Sequence, residues 1–555
     1  MRKSMRAITA MLMSSTIAMS AASITAMPSF AADETTYKIT MDTTEDHSYT
    51  AYQIFTGVLH ESTSGTTTTK TLSNIKWGSG VDSAGLINAL KTDGTYGDVF
   101  TAAIGSATGD AAAEKVAKQL DTYADRGDDA KAIAKIIGKY ITGSGKSGTQ
   151  DTGITGLTAG YYLIRDTTAT PPEGETLSEF MLEVVSNVNV EAKDETVTST
   201  KTVTDVNDST GASEEGQKNA DYDIGDDVSY VLTFTLPSKY DDYAKYPITF
   251  TDTMCEGLTL NSDAKIYYGA GDTTGTSIDF SSAAATGDYA GGKVYTYSIA
   301  DLKAAQEAAA PDTALKNLGA GDVITIKYTA KLNSKAKIGG AGNKNTYNVT
   351  FASDPTWTGE GENEPENPPT GQTPPDVNIV FTYKLVVNKV DEDAAALNGA
   401  DFDLYKFVLD ENGEDTYGGN KGTWTLVTAL NSGTDKPSKT GGTSGSQFVF
   451  TGIDDGHYKL VEKTTPNGYN SIDDIEFDIT PNENGDLEDV DLGEATFTAD
   501  DDEGSLTGSI QNNKGVTLPG TGGIGTRIFY IAGILFLAGG SVLLICKKRM
   551  GIKEK

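Results

Sequence analysis

The stretch VSYVLTFTL, Val228–Leu236, places an apolar side chain at every second position. Successive side chains of an extended chain point to opposite faces, so this stretch predicts a β-strand with one buried face. Similar short runs recur at 248–252, 294–298, 323–332 and 345–351, separated by turns rich in Gly and Asn. Several short strands with turns between them predict a β-sandwich.

Strand patterns also lie on both sides of this region. Upstream they occupy 37–57, 160–165 and 180–190, and downstream they include 385–389 and 448–450. Two segments have helical character instead: 128–141, with Asp128 and Asp129 as N-terminal capping candidates and Ile133 and Ile137 on one face, and, more weakly, 111–120. We interpret them as helices that cover one side of an upstream β domain.

The two ends of the chain carry export and anchoring signals. Basic residues, an apolar stretch and Ser29-Phe30-Ala31 predict a secretory leader that is cleaved after Ala31. Near the other end, Leu518-Pro519-Gly520-Thr521-Gly522 is followed by the uncharged apolar run Ile528–Cys546 and by a cluster of basic residues. That run is long enough for a transmembrane helix, and the basic cluster predicts its cytoplasmic side.

These patterns divide the chain into six segments. They are a leader (1–31), an N-terminal β domain with a helical insertion (32–195), a middle β-sandwich (196–356), an acidic Pro-rich linker (357–377), a third β-sandwich (378–515), and a terminal segment with pentapeptide, apolar helix and basic tail (516–555).

Composition excludes several classes of function. The net charge of −34 disfavours nucleic acid as a partner. Only Cys255 lies outside the apolar anchor, so an intrachain disulfide within the exported part is not expected. With three His and no His/Cys cluster, we expect neither a cofactor nor a transition-metal site. Acidic turns such as 410–413 lack EF-hand spacing and are interpreted as solvated turns rather than calcium sites.

Three groups of motifs resemble a known family. The pentapeptide resembles the LPxTG sorting signal of Gram-positive surface proteins. "STKTVTDV", "DIGDDVSYVLTF", "ITFTDTMCEGLTL" and "GNKNTYNVTF" in the middle domain resemble the isopeptide-forming domain of major pilins. "LVVNKVDEDAAALNGADFDLYKF", "GHYKLVEKTTPNGY" and "GSIQNNKG" resemble collagen-adhesin B-type domains. The resemblance implies a mainly β fold of tandem immunoglobulin-like, collagen-adhesin-type sandwiches.

The same resemblance implies a bond, formed without an enzyme, between a Lys amine and an Asn carboxamide in each of two domains. The matching residues are Lys201, Asp252 and Asn345 in the middle domain, and Lys389, Glu462 and Asn512 in the third. The acids are the expected proton shuttles. Strand alternation independently places Asn345, Lys389 and Asn512 on inward faces, where a polar side chain needs a partner. Asn343, Lys463 and Asn513 stay open as neighbouring alternatives.

The first domain departs from the pattern, because Asp166 takes the place of the glutamate while Thr43 takes the place of the lysine. No bond is expected there.

Polymerisation in this family requires an acceptor lysine. Val188-Asn189-Val190-Glu191-Ala192-Lys193 keeps the valine and lysine spacing of the family's acceptor motif but lacks its Tyr and Pro. We expect Lys193 to be the acceptor.

The function implied is the backbone subunit of a covalent pilus anchored in the cell wall of a Gram-positive surface. The chain would be a substrate rather than an enzyme. Its partners would be pilin-type and housekeeping sortases, other copies of itself, peptidoglycan, and additionally minor pilins and host surface ligands. The alternative is a single-copy wall-anchored adhesin or minor pilin. A surface hydrolase is disfavoured, because no nucleophile–base pair is visible in the first domain.

Overall fold

The computed structural model describes residues 35–42, 46–64, 67–123, 127–191, 195–359, 365–493, 495–515 and 524–550. The chain is mainly β, as predicted, with one helical insertion and a C-terminal apolar helix. We call residues 35–191 the first module, 195–381 the middle module and 382–515 the third module. The leader lies outside the described residues.

In its described residues the first module contains a three-stranded sheet, a five-stranded sheet and four helices, and its short strand Glu175–Thr176 pairs with Glu195–Thr196 at the start of the middle module. Its elements are β1 (Tyr37–Asp42), β2 (Ser48–Ser64), β3 (Thr67–Trp77), α1 (Ser83–Thr92), α2 (Gly97–Ile104), α3 (Asp110–Leu120), α4 (Asp128–Gly138), β4 (Lys146–Thr149), β5 (Ile154–Leu157), β6 (Gly160–Asp166), β7 (Glu175–Thr176), β8 (Glu179–Val184) and β9 (Val188–Glu191).

Sequence patterns predicted only two of the four helices. In α1 the Asp82 carboxylate accepts hydrogen bonds from the backbone N–H groups of Ala84 and Gly85, and Leu86 and Leu90 are fully buried four residues apart. This cap and spacing were available in the sequence as a helix signal. The residue before α4 is Gly127, so Asp128 lies in the first turn rather than at the cap.

The middle module is a sandwich of two seven-stranded sheets. One is ordered β12-β11-β14-β21-β17-β18 with β16 also paired to β21, and the other is ordered β13-β24-β22-β15-β20-β19 with β23 also paired to β22. Its elements are β10 (Glu195–Thr196), β11 (Ser199–Val206), β12 (Ser213–Gln217), β13 (Asn219–Asp221), β14 (Asp227–Thr235), β15 (Ile248–Met254), β16 (Leu258–Leu260), β17 (Lys265–Tyr268), β18 (Thr276–Ser277), β19 (Ser281–Ala284), β20 (Lys293–Ile299), α5 (Leu302–Ala308), β21 (Val323–Leu332), β22 (Asn343–Ala352), β23 (Thr370–Gln372) and β24 (Asp376–Phe381).

The predicted linker at 357–377 differs from the structure in its second half. There, β23 pairs with β22, the side chain of Thr373 is buried, and β24 pairs with both β22 and β13. The third domain was predicted to begin at residue 378, which lies inside β24. Composition missed this because the prolines flank the short strands, and strand pairing depends on an edge supplied by distant residues.

The third module contains a six-stranded sheet, β29-β30-β25-β35-β34-β33, facing a five-stranded sheet, β27-β28-β26-β31-β32. Its elements are β25 (Tyr383–Val390), β26 (Asp401–Leu409), β27 (Asp415–Tyr417), β28 (Asn420–Leu426), β29 (Ser438–Thr440), β30 (Gln447–Ile453), β31 (Gly456–Thr464), β32 (Ile475–Ile479), β33 (Val490–Asp491), β34 (Thr496–Asp500) and β35 (Ser505–Gln511). The first strand, β25, lies parallel to the last, β35.

The chain ends in the helix α6 (Ile524–Met550). Its segment Ile528–Lys548 has a mean hydropathy of 2.4 and does not pack against the modules. Apolar side chains such as Phe536 and Leu537 are largely exposed. Length and composition therefore suit this helix to a membrane, as predicted.

Candidate cross-linking sites

Lys201, Asp252 and Asn345 meet between the two sheets of the middle module. Lys201 is on β11 of one sheet, while Asp252 on β15 and Asn345 on β22 belong to the facing sheet. Asn345 is opposite Met254 in the β15–β22 register, two residues from Asp252. All three side chains are buried to 1% exposure or less. The inward face predicted for Asn345 is therefore the face it occupies.

Hydrogen bonds connect these three residues through a fourth, Tyr328 of β21. The Lys201 ammonium donates to Asp252 Oδ1 at 2.5 Å and to the Tyr328 hydroxyl at 2.8 Å. Asn345 Nδ2 donates to the same hydroxyl at 2.9 Å, and the hydroxyl donates to Asp252 Oδ2. One phenol oxygen thus contacts all three residues.

Burial makes Lys201 a better nucleophile. It lowers the pKa of the ammonium to about 8, even though the Asp252 carboxylate opposes the shift. At pH 7 roughly a tenth of such amines are neutral, compared with far fewer for an ordinary lysine.

The side-chain amide of Asn345 uses only part of its hydrogen-bonding capacity. Among the described residues its Oδ1 has no hydrogen-bond partner, although the side chain is fully buried. Asn343, the neighbouring alternative, exchanges hydrogen bonds with the backbone of Lys337 and donates to the carbonyl of Val380. An unpaired buried carbonyl is costly and is therefore a notable feature of Asn345.

The third module arranges the same residue types differently. Lys389 on β25 is opposite Ile510 of the parallel strand β35, and Asn512 directly follows that strand. Its backbone N–H donates to the carbonyl of Val390 at 3.0 Å. Lys389 and Asn512 are thus neighbours within one sheet, whereas Glu462 approaches from β31 of the facing sheet.

Hydrogen bonds join Glu462 to Asn512, and not to the lysine. Asn512 Nδ2 donates to Glu462 Oε1 at 2.7 Å, while the Lys389 ammonium donates to the carbonyl of Ile510 at 2.7 Å. Burial lowers the pKa of Lys389 to about 8, and Glu462 opposes the shift. Both Lys389 and Asn512 are fully buried, and Asn512 Oδ1 has no partner among the described residues.

Lys463 and Asn513, the third-module alternatives that lie one position away from Glu462 and Asn512, point outward. The Lys463 side chain is 61% exposed and forms an ion pair with Asp403. Asn513 is exposed as well. Strand alternation places their neighbours Glu462 and Asn512 on the inward side.

In the first module Asp166 has a different partner. Its Oδ2 lies 2.7 Å from Nδ1 of buried His47, whose Nε2 lies 2.7 Å from Glu175. Asp166 is thus part of a hydrogen-bonded cluster with His47 rather than a site with an amine and an amide. Thr43, Lys193 and the pentapeptide 518–522 lie outside the described residues.

A third buried lysine, Lys406, was not anticipated. Its ammonium forms ion pairs with Asp208 (2.9 Å) and Asp223 (3.0 Å) of the middle module and with Asp454 of its own module. Burial alone would lower the pKa of this ammonium, but Asp223, Asp454 and Asp208 raise it well above its usual value. Lys406 therefore stays charged and links two modules, unlike Lys201 and Lys389.

Two protein-family models match the C-terminal part of the chain. Residues 383–504 match the model of the prealbumin-like fold domain SpaA, and residues 510–550 match that of the LPXTG cell wall anchor motif. Both matches are independent of the middle module.

Related proteins were found by sequence and by structure. The trypsin-resistant surface T6 protein of Streptococcus pyogenes is 26% identical over 265 residues, which are 47% of this chain and 42% of that protein. The solved T6 backbone pilin of Streptococcus pyogenes aligns at a TM-score of 0.46 with 18% identity, covering 88% of this chain and 100% of the other. The full-length major pilin SpaD of Corynebacterium diphtheriae aligns at 0.40 with 17% identity, covering 86% and 97%.

The fold, the anchor match and the apolar helix define a cell-wall-anchored surface protein built from β-sandwich modules. The matched domain, the anchor motif and the related surface protein agree with the resemblance to Gram-positive sortase-assembled major pilins that the sequence motifs indicate.

Proposed function

We propose that this chain is the backbone subunit of a covalently polymerised pilus and that it stabilises itself with two intramolecular Lys–Asn bonds. The observation that carries the proposal is the pair of Lys–carboxylate–Asn groups in consecutive modules, each with a fully buried lysine and asparagine, in a chain that also carries a wall-anchor motif. The chain acts as a sortase substrate and not as an enzyme with turnover.

The local chemistry favours bond formation in both modules. Each lysine has a depressed pKa because it is buried, so a neutral amine is accessible near neutral pH. The Asn512 amide donates directly to Glu462, and the Asn345 amide is connected to Asp252 through the Tyr328 hydroxyl, so in both modules a carboxyl group can accept and return a proton. Ammonia is the leaving group, and a dry core protects the product from hydrolysis.

The positions of the bonds suit a fibre under tension. In the third module the bond would join neighbouring ends of the first and last strands, so force entering β25 would leave through β35 without peeling the sheet. In the middle module the bond would link β11 to β22 across the sandwich; here two further strands, β23 and β24, follow the cross-linked strand. Each bond would close a loop of over a hundred residues, worth about 4–5 kcal/mol on a chain-entropy account.

Polymerisation would join Thr521 of one subunit to Lys193 of the next. A sortase attacks the Thr521 carbonyl to form a thioester, which the Lys193 amine resolves. In the sequence, Lys193 falls between the residues that form β9 and those that form β10. This acceptor role rests on the sequence motif and on that place in the chain.

An immunoblot of cell-wall extract, boiled in detergent, tests the polymer directly. A high-mass ladder is expected, and Lys193→Ala should reduce it to monomer while wall attachment through Thr521 persists. Lys245→Ala is a suitable control, since the ammonium of this lysine donates an exposed hydrogen bond to Asn367 and belongs to neither cross-linking site. A single band from the wild type would favour the adhesin alternative, whereas a ladder that survives Lys193→Ala would place the acceptor elsewhere.

A further inference from the structure

Tyr328 occupies the centre of the middle site. Its hydroxyl accepts hydrogen bonds from Lys201 Nζ at 2.8 Å and Asn345 Nδ2 at 2.9 Å, and donates to Asp252 Oδ2. Tyr230 stacks on its ring at 5.3 Å, which holds the ring in place. The hydroxyl thus contacts the attacking nitrogen, the leaving nitrogen and the carboxylate at once.

We propose that Tyr328 is a catalytic residue for the Lys201–Asn345 bond, acting as a two-way proton relay between the amine, Asp252 and the leaving nitrogen. This proposal rests on the proposed function and identifies a residue that motif comparison did not point to. Asp252 forms a hydrogen bond with Lys201 but none with the Asn345 amide, which donates to the Tyr328 hydroxyl instead. A group that connects Asp252 to this amide is therefore needed to deliver a proton to the leaving nitrogen.

The first half of the relay activates the amine. Lys201 Nζ passes a proton to the Tyr328 oxygen, which passes its own proton to Asp252 Oδ2. The neutral amine then attacks Asn345 Cγ, and a bond forms between Nζ and Cγ. Tyr328 ends this half unchanged, and Asp252 carries the proton.

The second half releases ammonia. Tyr328 gives its proton to Nδ2 and recovers one from Asp252 Oδ2, after which the Cγ–Nδ2 bond breaks. The proton left on the new amide nitrogen passes to ammonia, which leaves as ammonium. In balance, an ammonium and a carboxamide become a secondary amide and an ammonium ion, and both Asp252 and Tyr328 are regenerated.

Two observations suit Tyr328 to this role. Burial, and then the Asp252 charge, raise the pKa of the phenol well above its usual value, so the group remains a neutral donor and acceptor. In the third module Lys389 instead donates to the carbonyls of Ile510 and Val390, and Glu462 itself contacts the amide of Asn512. A relay is needed where the acid does not reach the amide.

The test starts from the full chain recovered in the unfolded state in urea. The chain is then diluted out of urea, and tandem mass spectrometry follows the formation of each bond over time. Tyr328→Phe removes only the hydroxyl, and we expect the Lys201–Asn345 bond to form at least about 100-fold more slowly, the lower range for general acid–base catalysis. Tyr246→Phe is the matched control, because Tyr246 is a fully buried tyrosine of the same module whose hydroxyl has no partner among the described residues. Formation of the Lys389–Asn512 bond in the same molecules reports that the third module has folded.

A second measurement, made on the wild type, tests the relay if the middle module of the Tyr328→Phe chain fails to fold. The wild-type rate is followed in mixtures of H2O and D2O, where a relay that moves several protons together gives a curved dependence and direct transfer of one proton gives a line. A linear dependence, or a wild-type rate in Tyr328→Phe, would overturn the relay while leaving the cross-link intact. Absence of the Lys201–Asn345 bond from the wild type would overturn both the bond and the relay.

Discussion

Replacing Lys406 by methionine should weaken the junction between the middle and third modules. Methionine keeps most of the apolar stem of the side chain but removes the charge that neutralises Asp223 and Asp454, each 1% exposed. Removing one partner of a buried ion pair typically costs about 3–5 kcal/mol, because the remaining charge stays buried without compensation. For a domain of the size of the middle module, residues 195–381, this loss lowers the melting temperature by about 6–20 °C.

The loss should depend on pH. Burial raises the pKa of Asp223 to about 7 and that of Asp455 to about 6, although Lys406 opposes the first shift and Asn207 the second. The folded state therefore binds more protons than the unfolded state, whose aspartates titrate near 4. Stability of the wild type should rise as pH falls from about 7 to about 4, by up to about 1.4 kcal/mol per pH unit for each group.

Without the Lys406 charge, protonation of the buried aspartates stabilises the folded variant more than it stabilises the folded wild type. The deficit of Lys406→Met should thus be largest at pH 8 and shrink towards pH 5. Scanning calorimetry of residues 32–515 at several pH values measures it. Lys335→Met is the control, because Lys335 forms an exposed pair with Glu256 and should cost under about 1 kcal/mol. A deficit below about 1 kcal/mol at pH 8, or one independent of pH, would refute this account of the junction.

Three further substitutions test the two cross-links. Glu462→Ala should abolish the bond to Asn512, so that the variant third module has the mass calculated from its own sequence, whereas the wild-type module is lighter than its calculated mass by about 17 Da, the mass of the one ammonia lost. A variant that also lies about 17 Da below its calculated mass would contradict the role of Glu462. Asp252→Ala should leave Lys201 unreacted and lower the stability of the middle module by about 3–5 kcal/mol, which trypsin digestion detects; unchanged protease resistance would count against the bond. Asn343→Ala removes an amide that bonds the backbone of Lys337 and Val380 and accepts from the Cys255 thiol, and so should cost about 1–3 kcal/mol yet leave the middle bond in place; loss of the bond in a folded chain would make Asn343 the partner.

The inward faces of several strands followed from local pattern. Alternation in β22 placed Asn345 with Tyr347 and Val349, and all three are buried. The same rule placed Lys389 inside the third module. Such inferences succeed because the side-chain period of a strand is two, so that a few apolar residues determine which face is buried.

Local pattern was less informative in the first module and at the module boundaries. Helices α1 and α2 were missed because short amphipathic helices resemble loops with scattered apolar residues. The strand β24 was taken as part of a linker and of the next domain, because its pairing partners β22 and β13 are contributed by earlier parts of the chain.

Only the tertiary structure decided which inward-facing residues meet. Tyr328 has the same alternation as any core residue of β21, and nothing near it in sequence indicates that its hydroxyl contacts Lys201, Asp252 and Asn345. Lys406 likewise appears as one polar residue in a strand, yet it is fully buried against aspartates of another module. Alternation determines the face of a residue, whereas its neighbours across a sandwich depend on how two sheets and two modules pack, which is set by contacts distant in the chain.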